Sequence, residues 1–300
     1  MVRAEKSGGV KHFLADRFPS LVSIAVYHKQ SIRIRRFIDF LNREHPEVCI
    51  SLLDVGARGG LNAIPIFKPL KRLKNRLIHG IEPDTKEAER LRKSDEYNHI
   101  FTDGVAWYDG EAVLHVRNPL DSSSIREYDK AFLSAFAVTV RDGSKHIAIP
   151  VKKLSSIIPT GMTYDIIKTD TEGCDYDVLA SAEPIFLEKA LCVVSETQRV
   201  SLFRGQYSDL ALHAFLSEKR FVLLEASLQP DLISEDVCYV KEPQSVSDLP
   251  ALMKYILIGL LFRKTLFCSY VLKVYERNYG EWKELDDVYR ILGVTRDMLL

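Results

Sequence analysis

The sequence predicts an α/β protein in which a mainly parallel β-sheet is covered by helices on both faces. Three observations carry this. Short apolar runs alternate with helical segments along most of the chain, the pattern of successive βα units. The apolar run at residues 50–53 ends in Asp54 and passes directly into a glycine-rich turn, Gly56-Ala57-Arg58-Gly59-Gly60. Five acids, Asp54, Glu82, Asp103, Asp170 and Glu196, each fall at the C-terminal end of an expected strand. Ligands bind at that edge of an open α/β sheet, and five acids on one edge are hard to ascribe to solvated turns alone.

Residues 1–19 are polar and without pattern. Residues 21–42 have helical spacing, with Ile32, Ile34, Phe37, Ile38 and Leu41 as an apolar stripe and Lys29, Arg33, Arg35 and Arg36 as a basic flank. Such a helix either covers the edge of the core or lies on an acidic lipid surface. After the glycine turn, residues 61–70 read as the first helix of the sheet domain, with Pro65 in its opening. A second strand at 77–81 ends in Glu82-Pro83, and Asp84 is available to cap a helix over 85–93. A third strand ends at Asp103-Gly104. Tyr108-Asp109-Gly110-Glu111 reads as a hairpin turn feeding a strand over 112–116.

The polar stretch that opens with Asp121-Ser122-Ser123-Ser124 reaches to about Gly143, and a strand follows at 147–151. A fourth core strand, 164–170, leads into Thr171-Glu172-Gly173 and a helix over 174–180; a fifth strand spans 191–196. Residues 207–219 form an amphipathic helix with Leu210, Leu212, Phe215 and Leu216 as its apolar face, and 221–225 with 237–240 a closing hairpin. The expected organisation is a helical extension (1–47), a ligand-binding domain (48–245) and a helical tail (246–300) packing on it.

Basic and acidic residues balance at 41 each, which argues against a nucleic-acid partner. With 46% hydrophobic and 27% charged residues, the composition is that of an ordinary soluble protein. Five scattered cysteines without a Cys-x-x-Cys pair suit a reducing compartment, and the expectation is a cytoplasmic protein. No His-x-x-x-His spacing supports zinc. The N-terminus lacks a signal-peptide apolar region, and the apolar run 255–262, broken by Arg263 and Lys264, is too short to span a membrane. The terminal helices are candidates for core, lid or homodimer contacts.

The turn spacing is Asp-x-Gly-x-x-Gly-Gly, not the Gly-x-Gly-x-x-Gly of dinucleotide enzymes. Glu82, at the end of the next strand, can accept from both ribose hydroxyls. Asp103 can accept from an adenine amino group while Val105 packs on the ring. A pyrophosphate would avoid so many carboxylates, whereas a cationic ligand with ribose, adenine and ammonium suits them. S-adenosylmethionine is that ligand.

The segments LLDVGARGGLNAI, IHGIEPDTKEAERLRK, YDIIKTDTEGCDYDVLASAEPIFL and CVVSETQ resemble an FkbM-type methyltransferase over roughly residues 48–225. Lys168-x-Asp170-x-Glu172-Gly173 is the most specific part. The resemblance implies a class I, Rossmann-like S-adenosylmethionine fold with a mainly parallel seven-stranded sheet, and usually O-methylation of a sugar or another small hydroxylated metabolite. By motif matching it implies Asp54, Gly56, Gly60 and Glu82, with Asp103, as cofactor residues; the expected cofactor-binding set adds their neighbours Ala57, Arg58, Pro83, Gly104 and Val105, and Asp170. The family motif commonly has Asn-Ile-Gly where Arg58-Gly59-Gly60 stands here, and Glu where Asp175 stands.

Methyl transfer requires a hydroxyl oxygen held in line with the methyl group, and a positioned carboxylate that takes its proton. Asp170 and Glu172 are the candidates, with Lys168 beside them. Alternatively Asp170, Glu172 and Glu196 hold a Mg²⁺ that acidifies the acceptor hydroxyl. Acceptor selection is expected in residues 117–146 and the terminal helices. The competing functions are a nicotinamide oxidoreductase on a similar sheet and a non-catalytic cofactor-binding relative.

Overall fold

The structure, a computed structural model, describes residues 21–117, 120–135, 145–182, 184–228 and 233–296. The expectation for residues 1–19 and part of the polar stretch before residue 145 fall outside the described residues. In chain order, α1 (Leu21–Glu44) precedes β1 (Ile50–Val55), β2 (Arg76–Ile81), α2 (Thr85–Arg92) and β3 (His99–Phe101). Then come β4 (Gly104–Val105), β5 (Gly110–Val116), α3 (Lys130–Ala135), β6 (Lys145–Lys152) and α4 (Leu154–Ile157). Next are β7 (Ile166–Thr169), α5 (Asp175–Ala180), α6 (Pro184–Lys189), β8 (Cys192–Gln198) and α7 (Asp209–Glu218). The chain continues with β9 (Phe221–Leu228), β10 (Ser234–Lys241), α8 (Leu249–Leu261), α9 (Thr265–Tyr279) and α10 (Leu285–Leu292).

The expected Rossmann-like sheet of seven strands is present, in the order β3-β2-β1-β7-β8-β10-β9. It is parallel from β3 to β8, and β10 closes it antiparallel between β8 and β9. Because side chains alternate along a strand, β1 sends Ile50 and Leu52 to one face and Leu53 and Val55 to the other. The first face packs on α1, α8, α9 and α10; the second packs on α4 to α7. Helices thus cover both faces. The order of the strands changes direction at β1, since β2 and β7 lie on either side of it. That crevice, at the C-terminal ends of the strands, is where such a sheet takes a ligand.

The apolar stripe of α1 joins the core: Ile34, Phe37, Ile38 and Leu41 are buried with residues of α8 and α10. Helix α8 is buried nearly all round, which explains why its sequence shows no polar face. No helix among the described residues is long and apolar enough to cross a membrane.

Three local expectations are corrected. The helix expected over 61–70 is replaced by two short 3₁₀ turns, Gly60–Asn62 and Lys68–Arg72. Pro65 and Pro69 each lack the N–H that an α-helix needs there, and Gly59 and Gly60 enter the segment at φ 83° and 66°. The turn at 108–111 does not close a two-stranded hairpin. A separate three-stranded sheet has the order β4-β6-β5, so β6 lies between the strands the turn joins. The Asp109 carboxylate instead accepts from Lys153 N and Ser156 Oγ, both at 2.8 Å. Leu210 is 73% exposed, so the buried face of α7 rests on Leu212 and Leu216.

Candidate active site

The glycine turn leaves β1 at Gly56, whose φ of 77° is left-handed. A Cβ there would stand 2.1 Å from the carbonyl oxygen of Asp170, so only glycine lets this turn meet the one after β7. The amides of Gly56, Ala57, Gly59, Gly60 and Leu61 are committed within the protein. Gly56 N and Ala57 N both donate to Ile81 O, and Gly60 N to Ala57 O. Gly59 N donates to Glu87 Oε1 at 2.8 Å and Leu61 N to Glu96 Oε2 at 2.9 Å. Two of these amides are thus held by carboxylates of the segment after β2, Glu87 and Glu96.

Asp54 is fully buried beneath the turn. The Tyr97 hydroxyl donates to its Oδ2 at 2.6 Å, and the Lys168 ammonium lies 3.1 Å from Oδ1. Lys168 also donates to Gly56 O at 2.9 Å and stands 3.6 Å from Asp170. Burial pushes the Asp54 carboxyl above its ordinary value, with Lys168 and Tyr97 opposing. Through Tyr97 and Lys168, Asp54 ties the turn to β7 and to the β2–β3 connection.

Arg58 lies 2.8 Å from Asp84 Oδ2 and 3.5 Å from Glu82 Oε1. It braces the end of β2 against the turn. Glu82 is buried and also accepts from Asp84 N at 2.9 Å; burial raises its pKa, and that hydrogen bond and Arg58 lower it. Asp84 caps α2 as expected, accepting from Lys86 N and Glu87 N. Asp103 is partly exposed and pairs with Lys152 at 2.9 Å. The acids of the rim thus carry basic partners: Lys168 for Asp54 and Asp170, Arg58 for Glu82, Lys152 for Asp103. Their net pull on a cation is weaker than the bare sequence implies.

After β7, Asp170 N is held by Val55 O at 3.1 Å. Glu172 and Gly173 follow at φ 52° and 91°, two left-handed residues in succession. This turn brings ligand atoms of Asp170, Glu172 and Glu196 within 4.8 Å of one another. Asp175 Oδ1 accepts from Thr171 N at 3.1 Å. Asp175 is buried, and burial together with the nearby Asp170 charge pushes its carboxyl up to about 6. The serine cluster clasps the same turn: Ser124 Oγ donates to Glu172 O at 2.7 Å. Arg126 adds an ion pair to Asp177 at 2.7 Å and lies over the Trp107 ring.

A cleft opens beside the acids, lined by Gly173, Asp175, Tyr176, Glu196, Gln198, Gln206, Tyr207 and Ser208 among others. The Tyr176 and Tyr207 rings lie 4.1 Å apart at one wall. Gln206 Nε2 donates to Gln198 Oε1. Tyr97, Glu87, Glu96, Arg126 and the Tyr176–Tyr207 pair are not foreseen from the sequence. Their roles come from partners 28 to 51 positions away, and no local pattern marks them.

A family model, the methyltransferase FkbM domain, matches residues 54–223. No curated protein matches the chain. Among solved structures, the magnesium protoporphyrin IX methyltransferase of Synechocystis with bound SAM is 12% identical, with TM-score 0.32, over 76% of this chain and 87% of that one. An O-methyltransferase family 2 protein of Planctomyces limnophilus in complex with apigenin is 10% identical, with TM-score 0.34, over 74% and 66%. The family match takes in the glycine turn, Glu82, the Lys168–Gly173 element and Glu196, and it spans more than half of the 300 residues. The chain belongs to the FkbM methyltransferase family.

Proposed function

We propose that the chain is an S-adenosylmethionine-dependent enzyme that methylates a hydroxyl of a sugar, glycan or similar small metabolite. Family membership supports methyl transfer. The observation that carries the rest is the sheet edge at β1. Glu82 stands on the β2 side of the glycine turn, and Asp170, Glu172 and Glu196 gather on the β7–β8 side. The residues present fit a nucleoside without a phosphate chain. The amides of Gly56, Ala57, Gly59, Gly60 and Leu61 are already bonded to Ile81 O, Glu87, Ala57 O and Glu96, so they offer no row of donors to a pyrophosphate. That speaks against the nicotinamide alternative.

In this reading Glu82 holds the ribose hydroxyls, Asp103 and Val105 meet the adenine, and the turn from Gly56 to Gly60 shapes the floor. S-adenosylmethionine, when bound, supplies an electrophilic methyl group. The acceptor lies against the adjoining surface, where the tyrosine rings offer apolar area to a sugar ring and Ser208 a hydroxyl. This puts acceptor selection beside α5 and α7 as well as in the serine-rich stretch. A sugar hydroxyl is a weak nucleophile, and Asp170 or Glu172 activates it by taking its proton, directly or through a bound cation. Such base catalysis contributes roughly 10²–10⁴-fold.

Calorimetry with S-adenosylhomocysteine tests the cofactor, with NADH as the comparison ligand. Binding of the former that Glu82→Ala weakens severely is expected; no binding would sink the proposal. Product masses with candidate sugars test the chemistry, and unchanged turnover in Asp170→Asn would remove Asp170 from it.

A further inference from the structure

We infer that Glu96 is a positioning residue for the cofactor. Its carboxylate stands in for the helix that does not form after β1 and holds the glycine turn in the shape that receives the amino-acid tail of S-adenosylmethionine. The inference rests on the methyltransferase reading and adds to it a residue that acts through the turn. An α-helix after the turn would stiffen its exit with a ladder of backbone bonds. Pro65 and Pro69 leave only the two 3₁₀ turns, Gly60–Asn62 and Lys68–Arg72. Glu96 ties both of them to one point. Its Oε2 accepts from Leu61 N at 2.9 Å, and its Oε1 from Asn62 Nδ2 at 2.9 Å and from Lys71 Nζ at 3.0 Å. Glu96 is 4% exposed, so these donors replace water around a buried carboxylate.

A second observation seats Glu96 against the turn itself. Gly60 has a left-handed φ of 66°, and a Cβ there would strike Glu96 Oε2, so turn and carboxylate fit together only with glycine at this position. The next residue, Tyr97, donates to Asp54 beneath the start of the turn at 2.6 Å. Residues 96 and 97 thus grip the turn at both ends from one short segment before β3. Without Glu96, Leu61 N and Asn62 Nδ2 lose this acceptor. Gly59 and Gly60, both left-handed, lose the most freedom on ordering and then hold the bound shape less often. A ligand binds only the fraction of chains with the turn in place, and its apparent affinity falls in proportion. In the proposed site Glu82, Asp103 and Val105 hold the adenosine, so the loss falls on the tail.

The test uses the full chain and calorimetry with two ligands. One is S-adenosylhomocysteine; the other is 5′-methylthioadenosine, which has the adenosine without the amino-acid tail. In Glu96→Ala, S-adenosylhomocysteine is expected to bind at least about tenfold more weakly, and 5′-methylthioadenosine within about threefold of the unsubstituted chain. Glu96→Gln keeps an acceptor for Leu61 N and should recover more than half of the loss. Lys71→Met removes one anchor of the carboxylate from a partly exposed position. It should weaken S-adenosylhomocysteine less than Glu96→Ala does, again with 5′-methylthioadenosine little changed. Circular dichroism shows whether each variant folds, and Lys71→Met carries the test if Glu96→Ala does not. Equal weakening of the two ligands would mean that Glu96 only supports the fold, and overturns the inference. Glu96→Gln no tighter than Glu96→Ala also overturns it. Unchanged S-adenosylhomocysteine affinity in the folded variants overturns it as well, and leaves the methyltransferase reading standing. An unsubstituted chain that binds neither ligand overturns the methyltransferase reading and the inference with it.

Discussion

The buried pair Asp54–Lys168 gives the sharpest test of how the two turns are joined. Lys168→Met keeps much of the side-chain bulk and removes the ammonium. Asp54, with no exposed surface, then keeps the Tyr97 hydroxyl and loses the ammonium 3.1 Å away. At that separation and an effective dielectric of about 20, the attraction lost is about 5 kcal/mol before solvation is counted. Removing one partner of a buried pair costs about 3–5 kcal/mol in practice, a large part of a typical total of about 5–15 kcal/mol. Adding Asp54→Asn removes the stranded charge while leaving an acceptor for Tyr97, so the double variant should recover more than half of the loss. Urea denaturation of the three proteins, compared at equal slope, measures this. A loss below about 1 kcal/mol in Lys168→Met, or a double variant no more stable than the single, would refute the reasoning.

Gly56→Ala places a Cβ 2.1 Å from Asp170 O at a left-handed φ; a stability loss of at least about 2 kcal/mol is expected in thermal melts, together with weaker S-adenosylhomocysteine binding. Tyr97→Phe removes a hydrogen bond to a buried carboxylate and should cost about 1.5–3 kcal/mol by urea denaturation. Asp175 sets a pH dependence. Its folded-state value of about 6 lies above the ordinary 3.8, so the native state favours the protonated acid. Its contribution is full below pH 3.8 and is lost as pH rises through about 6. The two-unit difference corresponds to roughly 3 kcal/mol. Stability curves recorded in EDTA should be flatter across this window in Asp175→Asn, and curves of equal slope would contradict the assignment.

The fold was legible because its signals are local. Apolar runs ending in acids mark parallel strands buried on both faces, and the acid-and-glycine pattern of residues 54–60 marks the crossover from β1. The helix expected after that turn does not form for a reason that is also local, Pro65 and Pro69, whose missing amides outweigh the apolar periodicity. In the site, Glu82 and the Lys168–Gly173 element stood out because their spacing ties them to strand ends. The partners of those residues did not.

By itself the sequence determined the sheet, the family and the edge at which the acids gather, since each depends on period, turn chemistry and spacing within a few residues. Tertiary structure alone decided what the acids do there. It buried Asp54 against Tyr97 and Lys168, set Arg58 on Glu82 and Asp84, filled the glycine turn with Glu87 and Glu96, and drew Glu196 to Asp170 and Glu172. A carboxylate's role follows from its burial and from the charge beside it, and both are supplied by segments distant in the chain.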